Sequence, residues 1–187
     1  MRSILCMCLW AAFGLIASPV AAKNKAEIIN ININQETRNL EVSFQIQNCF
    51  TPKMEEAIHS GVETTFRILL VVEKKGFPLF RDKLLDIVLE HSIKYDRLNN
   101  EFQVLLPEHP HGIVATADFN EAEQWMSKVE NLPLIPIWRL DKTAEYNLRL
   151  KAELSKVNLP LFFRYIFYFV SLWDFETNWQ QKAFSLE

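Results

Sequence analysis

The sequence predicts an α+β protein that is mainly β, built as an antiparallel sheet, sandwich or open barrel of about seven or eight strands. One observation behind this prediction is that apolar and polar residues alternate along several long runs, which is the pattern of half-buried strands. The other is that short turns separate these runs, and short turns permit antiparallel but not parallel pairing. Two short connecting helices and an aromatic C-terminal helix complete the prediction.

The first two strands are expected to form a hairpin. Residues 26–34 alternate, with Ile29, Ile31 and Ile33 on one face and asparagines on the other. After a polar break, residues 40–47 alternate in the same way. Two half-buried strands separated by a short polar segment predict a β-hairpin.

A short helix and a long strand follow this hairpin. Thr51 and Pro52 are typical of an N-cap and a first helical residue, and Gly61 is typical of a residue that ends a helix. Residues 62–74 then return to period two. A turn is expected at residues 76–78, where a glycine and a proline flank a phenylalanine.

The middle of the chain predicts two further strands and a loop. Residues 82–96 keep their apolar side chains in phase, and His91 falls in that phase, which indicates a core histidine. The asparagines at 99–100 break the run before residues 102–106 resume it. Residues 107–116 are expected to form a loop.

A second helix and the clearest strand come next. Asp118 is typical of an N-cap, and we expect Pro133 and Pro136 to exclude any continuation of the helix. Residues 146–155 alternate without interruption, which predicts a sheet with one exposed and one buried face. The apolar positions of the helix are Phe119, Ala122, Trp125, Met126 and Val129.

Residues 159–173 are the most unusual segment, because they are almost wholly apolar and aromatic, with Arg164 as the only charge. A helix of this length would measure about 22 Å, which is too short to cross a hydrocarbon core of about 30 Å. It would be a core helix, a ligand or partner surface, or a membrane contact. Residues 173–179 alternate and predict a closing strand. The residues expected to bind are Phe162, Phe163, Tyr165, Phe167, Phe169, Trp173, Phe175 and Trp179.

Residues 1–22 are typical of a cleavable secretory signal, with Arg2 before an apolar run and small residues before the expected cleavage site. Residues 23–187 then form a single exported domain, periplasmic or associated with the envelope. The formal net charge of −3 becomes −4 once Arg2 is removed, a mild balance that argues against a nucleic-acid partner. Cys49 is left as the single cysteine, so no internal disulfide is expected.

Several segments resemble a known family. Residues 42–45 and 50–62, the break Tyr95-Asp96-Arg97-Leu98 and residues 169–179 together resemble an uncharacterised family of exported proteobacterial proteins. That family is catalogued only as a domain of unknown function, family four-three-nine-zero. The resemblance covers essentially the whole chain after the signal, and residues 169–179 are its most specific part. It implies a Gram-negative periplasmic or envelope setting and carries over no catalytic residues.

Candidate chemistry is sparse. His109 and His111 would need a third ligand such as His59 or His91 to hold zinc or copper, so a plain surface loop is the stronger interpretation. Cys49 precedes a helix start whose dipole would lower a thiol pKa, but nucleophilic catalysis would also require a base such as His59. The four glycines are not clustered, which argues against nucleotide cofactors. We therefore expect neither a metal nor a cofactor.

Two carboxylates on the predicted closing strand offer a further alternative. Asp174 and Glu176 lie two residues apart, as an acid and base pair on one strand face would. A solvated strand face explains the same spacing better.

These observations favour a non-enzymatic module that binds an envelope protein or lies against the membrane surface. The alternative is a periplasmic carrier whose sheets enclose a hydrophobic ligand such as a lipid. A hydrolase or metal-dependent enzyme comes last, because it would require a cleft in which the few candidate side chains converge.

Overall fold

The computed structural model describes residues 25–76, 82–155 and 175–186. Within these ranges the chain forms nine β-strands, two α-helices and one 3₁₀ turn. In chain order they are β1 (Glu27–Asn34), β2 (Asn39–Gln47), α1 (Pro52–His59), β3 (Thr64–Lys74), β4 (Asp82–Asp96), β5 (Glu101–Leu105), β6 (Ile113–Thr116), α2 (Phe119–Ser127), β7 (Lys128–Pro136), the 3₁₀ turn (Ile137–Arg139), β8 (Glu145–Leu154) and β9 (Gln180–Ser185).

The strands form two antiparallel sheets. One has three strands in the order β1-β2-β7, and the other has six in the order β6-β5-β4-β3-β8-β9. The predicted mainly antiparallel fold with two short helices is confirmed, although more strands are present than expected and the described strands close no barrel. The predicted aromatic C-terminal helix gains no support, because residues 156–174 lie outside the described ranges.

The two sheets share one hydrophobic core. Alternate side chains of each strand point inward, so that Phe44 of β2, Leu70 of β3 and Leu148 of β8 are at most 2% exposed. Complete burial of such a side chain contributes about 1.5–3 kcal/mol. The predicted inward faces of β2, β3, β4 and β8 are confirmed by this burial.

The buried face predicted for β1 is only partly right. Ile28, not Ile29, is the fully buried isoleucine, at 3% exposure. The pairing with β2 shifts between Ile29 and Asn32, and Asn30 adopts a left-handed backbone with φ of 55°. This bulge inserts one residue into the alternation, so the face that is buried changes along the strand.

Two strands were missed in the sequence. Part of the predicted loop at residues 107–116 is β6, which pairs with β5 along its whole length. Residues after α2 form β7, although the prolines were expected only to end the helix, and Pro133 and Pro136 face Glu41 and Asn39 of β2. Proline is tolerated in β7 because this strand lies at the edge of its sheet, where a missing N–H removes no ladder bond on the open side.

A closing strand was predicted at residues 173–179, and for the described part, residues 175–179, this prediction is wrong. Only an isolated bridge joins Glu176 to Glu153, and the closing strand is β9, which pairs with β8. Thr177 donates its N–H to the Ala152 carbonyl, but its hydroxyl oxygen accepts the Ala152 N–H at 2.9 Å. A side-chain oxygen thus replaces the backbone carbonyl of a regular ladder, and the strand begins only after Trp179.

Side-chain hydrogen bonds join the region of β1 to the region of β9. Lys182 Nζ donates to the Ile31 carbonyl at 2.6 Å, and Gln35 Nε2 donates to the Ser185 carbonyl at 3.1 Å. Lys25 Nζ lies 3.0 Å from Asn178 Oδ1. The edges of the two sheets are therefore held together where β1 runs beside β9.

Both helices begin at the predicted caps. Thr51 Oγ1 accepts the Met54 N–H at 3.3 Å, and Asp118 Oδ1 accepts the Asn120 N–H at 2.9 Å. Gly61 ends α1 with φ of 89°, a left-handed conformation that glycine adopts without strain. In the part of the chain that the structure describes, no helix is long and apolar enough to span a membrane.

Candidate functional site

An open groove lies between α1 and the turn that joins β4 to β5. Its volume is about 710 Å³. We call it the α1 groove, and the side chains used in the argument below are Glu55, Glu56, His59, Tyr95, Arg97 and Asn100.

The orientation of α1 places the charged side chains in this groove. Met54, Ala57 and Ile58 are buried against the core. Since helical neighbours three and four apart share a face, Glu55 and His59 lie together on the opposite side, where the His59 Nε2 is 4.0 Å from a Glu55 oxygen.

Aromatic rings form the floor of the groove. The His59 ring is 4.9 Å from Phe102 in an edge-to-face arrangement, 5.3 Å from Tyr95 and 6.0 Å from Phe119. Phe102 is 1% exposed, so the floor rests directly on the core. Ring contacts of this kind hold the imidazole and phenol faces in fixed positions.

The opposite wall is fixed by hydrogen bonds. Arg97 Nη2 donates to the Ser60 carbonyl at the end of α1. Asp96 Oδ1 accepts the Leu98 N–H at 2.9 Å and the Asn99 N–H at 3.4 Å, and the Leu98 bond is the first cause of a lowered Asp96 pKa. The β4–β5 turn is therefore tied both to itself and to the helix.

Carboxylates dominate the charge of the α1 groove. Glu123 on α2 has a raised pKa, first because the group is buried and second because the charge of Glu55 opposes its ionisation. Glu55 and Glu56 line the groove together with Arg97, so two carboxylates stand against one guanidinium, which keeps its charge while it donates to the Ser60 carbonyl. The groove consequently presents negative charge over an aromatic floor.

The two loop histidines do not assemble a metal site. The His109 and His111 rings are 5.7 Å apart, and the His111 N–H donates to His109 Nδ1 at 3.3 Å. His91, considered as a third ligand, is fully buried with its Nε2 2.8 Å from a Glu108 oxygen. Among the described residues, no group of three or more suitable side chains could hold a metal ion.

Cys49 is placed differently from the nucleophile considered in the sequence. Its side chain is buried, and its Sγ donates to the Ile46 carbonyl at 3.4 Å. Burial first, and the charge of Glu123 second, raise the pKa of the Cys49 thiol to about 12. The predicted lowering by the helix start is wrong, because desolvation outweighs the helix dipole.

Two of the eight aromatic residues expected to bind lie within the described ranges. Phe175 is 9% exposed and packs edge-to-face on Phe66 at 4.9 Å, so it belongs to the core. Trp179 is 40% exposed, with Arg149 Cζ 4.5 Å from its ring centroid. Six lie outside the described residues and stay predictions: Phe162, Phe163, Tyr165, Phe167, Phe169 and Trp173.

Of the acid and base pair considered at the end of the chain, the structure describes only Glu176. Glu176 accepts a hydrogen bond from Lys151, which lowers the Glu176 pKa. A general acid requires the opposite shift. Asp174 lies outside the described residues.

A second cavity of about 520 Å³ lies beside the β1–β2 turn. Its lining is largely polar and includes Asn34, Gln35, Glu36 and Lys142. It opens at the surface, and Ile33 and Leu186 in its lining pack against the core.

The geometry of the chain can be compared with known proteins. The family model described as "Domain of unknown function (DUF4390)" matches residues 23–182. The chain belongs to this family. The match covers all of the described strands except the end of β9, and it confirms the resemblance found in the sequence. No curated protein and no solved structure matches the chain.

Sequence reasoning missed the α1 groove, although two of the segments that carried the resemblance contribute residues to it. The residues of α1 and those of the β4–β5 turn are about forty positions apart, and neither segment is a recognisable motif alone. The available signal was an aromatic residue, Tyr95, next to a strand break, and a histidine, His59, at the end of an amphipathic helix.

Proposed function

We propose that the chain is an exported, non-enzymatic binding module and that the α1 groove receives a segment of a partner protein. The observation that carries this proposal is the combination of a rigid aromatic floor, made by His59 and Tyr95, with two carboxylates at the wall, Glu55 and Glu56. Aromatic anchors surrounded by polar side chains are typical of protein interfaces.

The charge of the groove favours a basic segment of the partner. A lysine or arginine side chain lying over Tyr95 would gain a cation–π contact and could pair with Glu55 or Glu56. Arg97 donates one N–H to the Ser60 carbonyl, which places its guanidinium at the end of α1.

The proposed setting is the periplasm or the cell envelope. The signal-like residues 1–22 support this setting. So does the single cysteine of the chain after residue 22, the buried Cys49, because it cannot form a wrong internal disulfide in an oxidising compartment. The partner is then an envelope protein, or a protein held at the membrane surface. The aromatic residues 159–173 remain a second proposed contact of the same module.

Site-specific photocrosslinking in the producing cells tests this function. A photoreactive amino acid at Asn100, inside the groove, is expected to capture a partner peptide that contains lysine or arginine. The double variant Glu55→Gln/Glu56→Gln should reduce capture at least fivefold, because it removes the charge from the wall.

The matched control is Glu36→Gln/Glu63→Gln, which removes two exposed carboxylates elsewhere and should leave capture unchanged. Capture that is equal in both double variants would overturn the proposed role of the groove. Recovery of the uncleaved chain from the cytoplasm alone would overturn the proposed export.

The carrier alternative gains no support from the interior. The inward side chains of both sheets are in contact and almost completely buried, and both cavities described above open at the surface. Native mass spectra of the purified protein would decide the matter, since a stoichiometric lipid would favour the carrier over the interaction module.

A further inference from the structure

A buried histidine connects three separate parts of the fold. His91 lies near the middle of β4 and is fully buried. Its Nδ1 is 3.1 Å from the Met126 carbonyl oxygen in the last turn of α2. Its Nε2 is 2.8 Å from Glu108 Oε1, and Glu108 belongs to the loop between β5 and β6.

Counting protons fixes the state of this contact. A carbonyl oxygen can only accept a hydrogen bond, so Nδ1 of His91 carries a proton that points to Met126. A bare Nε2 lone pair facing a carboxylate at 2.8 Å would be repulsive. One proton must therefore lie between Nε2 and Oε1. Since a carboxylic acid is a stronger acid than an imidazolium, we assign this proton to Nε2, which makes the contact an imidazolium paired with a carboxylate.

The pair is buried but incompletely satisfied. The Glu108 side chain is only 15% exposed. Although Nε2 and Oε1 are in contact, Nε2 has no aligned hydrogen bond, and the second oxygen, Oε2, has none with any residue that the structure describes. Since buried charges are stable only when paired and solvated by hydrogen bonds, this contact depends strongly on the charge of both partners.

The loop that carries Glu108 is itself compact. The Leu106 N–H donates to the Gly112 carbonyl at 2.7 Å, and the Gly112 N–H donates to the His109 carbonyl at 2.9 Å. The loop is thus a short hydrogen-bonded turn, and Glu108 joins it to the buried face of β4.

We propose that His91 and Glu108 form an acid-released latch, which holds the β5–β6 loop and the end of α2 against β4 while the carboxylate is ionised. When the pair takes up a second proton, which goes to the Glu108 carboxylate, the imidazolium is left as a buried charge without a counter-ion. The loop then detaches so that water can reach the ring.

The direction of the pH dependence follows from the surroundings of Glu108. Burial opposes its ionisation, but the contact with His91 and the charge of His109 outweigh burial and lower its pKa below the ordinary 4.5. A lowered carboxyl pKa stabilises the closed latch above pH 4.5, and this contribution is lost as the pH falls further. The other sides of the ring meet Phe66 of β3 and the uncharged Met126 carbonyl.

Hydrogen exchange of the exported protein between pH 6.5 and pH 3.5 tests the latch. After correction for intrinsic rates, the protection of the Leu106, His109 and Gly112 amides is expected to fall at least tenfold in acid. The amide of Ile68, in the middle of β3, should keep its protection. Loss at all four amides together would mean global unfolding and would overturn the latch.

Two variants separate the latch from general acid sensitivity. Glu108→Gln should have low loop protection already at pH 6.5, with little further change in acid, whereas Glu63→Gln should follow the wild type. If Glu108→Gln does not fold, the imidazole nitrogens of wild-type His91 give the answer by NMR. We expect both to carry protons at pH 6.5, and an Nε2 without one would refute the proposal.

Discussion

Burial decides the chemistry of Cys49. The residue stands two positions before the cap of α1, where partial positive charge favours a thiolate. Its side chain is nevertheless inside the core, and burial together with the Glu123 charge raises the pKa of the thiol to about 12. At Cys49, therefore, the effect of desolvation on the thiol pKa outweighs the effect of the nearby helix start.

The same residue yields a labelling prediction. At pH 8 the native thiol should react with iodoacetamide at least about a hundredfold more slowly than the thiol of the protein unfolded in urea, because only the thiolate is nucleophilic. The reaction is followed by intact-mass spectrometry. Full labelling of the folded protein within minutes would contradict the buried position of Cys49.

At the scale of elements, the bulge of β1 determines which isoleucines reach the core. Asn30 is left-handed, and the extra residue moves Ile28 and Ile33 onto the same face. Asparagine tolerates this conformation better than other residues with a side chain, and β-branched residues tolerate it least.

The effect of substituting Asn30 on stability should therefore depend on how well the new residue tolerates a left-handed backbone. Asn30→Val is expected to lower the free energy of unfolding by about 1–2 kcal/mol, and Asn30→Gly should change it by less than about 0.5 kcal/mol. Asn32→Val is the control, because this exposed residue is the first to pair with β2 after the bulge and, unlike Asn30, has no left-handed backbone. Urea denaturation measures all three, and equal losses for both valine variants would argue against the bulge.

Strands with one buried and one exposed face could be predicted from the sequence. Strands that contain residues unfavourable in a strand, such as proline, could not. The alternation of β3 and β8 reports burial on one face, so both were identified correctly. The prolines of β7 are compatible with a strand only at a sheet edge, and a position at the edge is a tertiary property. The α1 groove was missed for a similar reason, because the proximity of His59 and Tyr95 exists only after β4 packs beneath α1.

At the scale of the whole molecule, several carboxylates make the fold more stable at neutral pH than at acidic pH. Asp141 has its pKa lowered to about 2, first by the Thr143 N–H, then by the Thr143 hydroxyl and Lys74. The pKa values of Asp96 and Glu176 are lowered as well. Glu123 acts in the opposite direction, since its pKa is raised.

The urea midpoint should therefore fall as the pH is lowered from about 5 towards 2, because lowered carboxyl pKa values stabilise the fold only while these groups are ionised. Asp141→Asn should flatten the lowest part of this curve, between about pH 4 and pH 2. Glu63→Gln should leave the curve unchanged. A midpoint that rises on acidification would show that the carboxylate contacts of the folded state are absent in solution.

The contacts between β1 and β9 are expected to form late in folding. The residues that meet there are about 150 positions apart, as in the contacts of Lys182 with Ile31 and of Gln35 with Ser185. Contacts at such separation form slowly, because a long loop must close before they contribute. Until β9 arrives, the edge of β8 stays unpaired and open to other chains. A chain cut short before residue 180 should therefore aggregate, because it lacks the strand that covers the edge of β8.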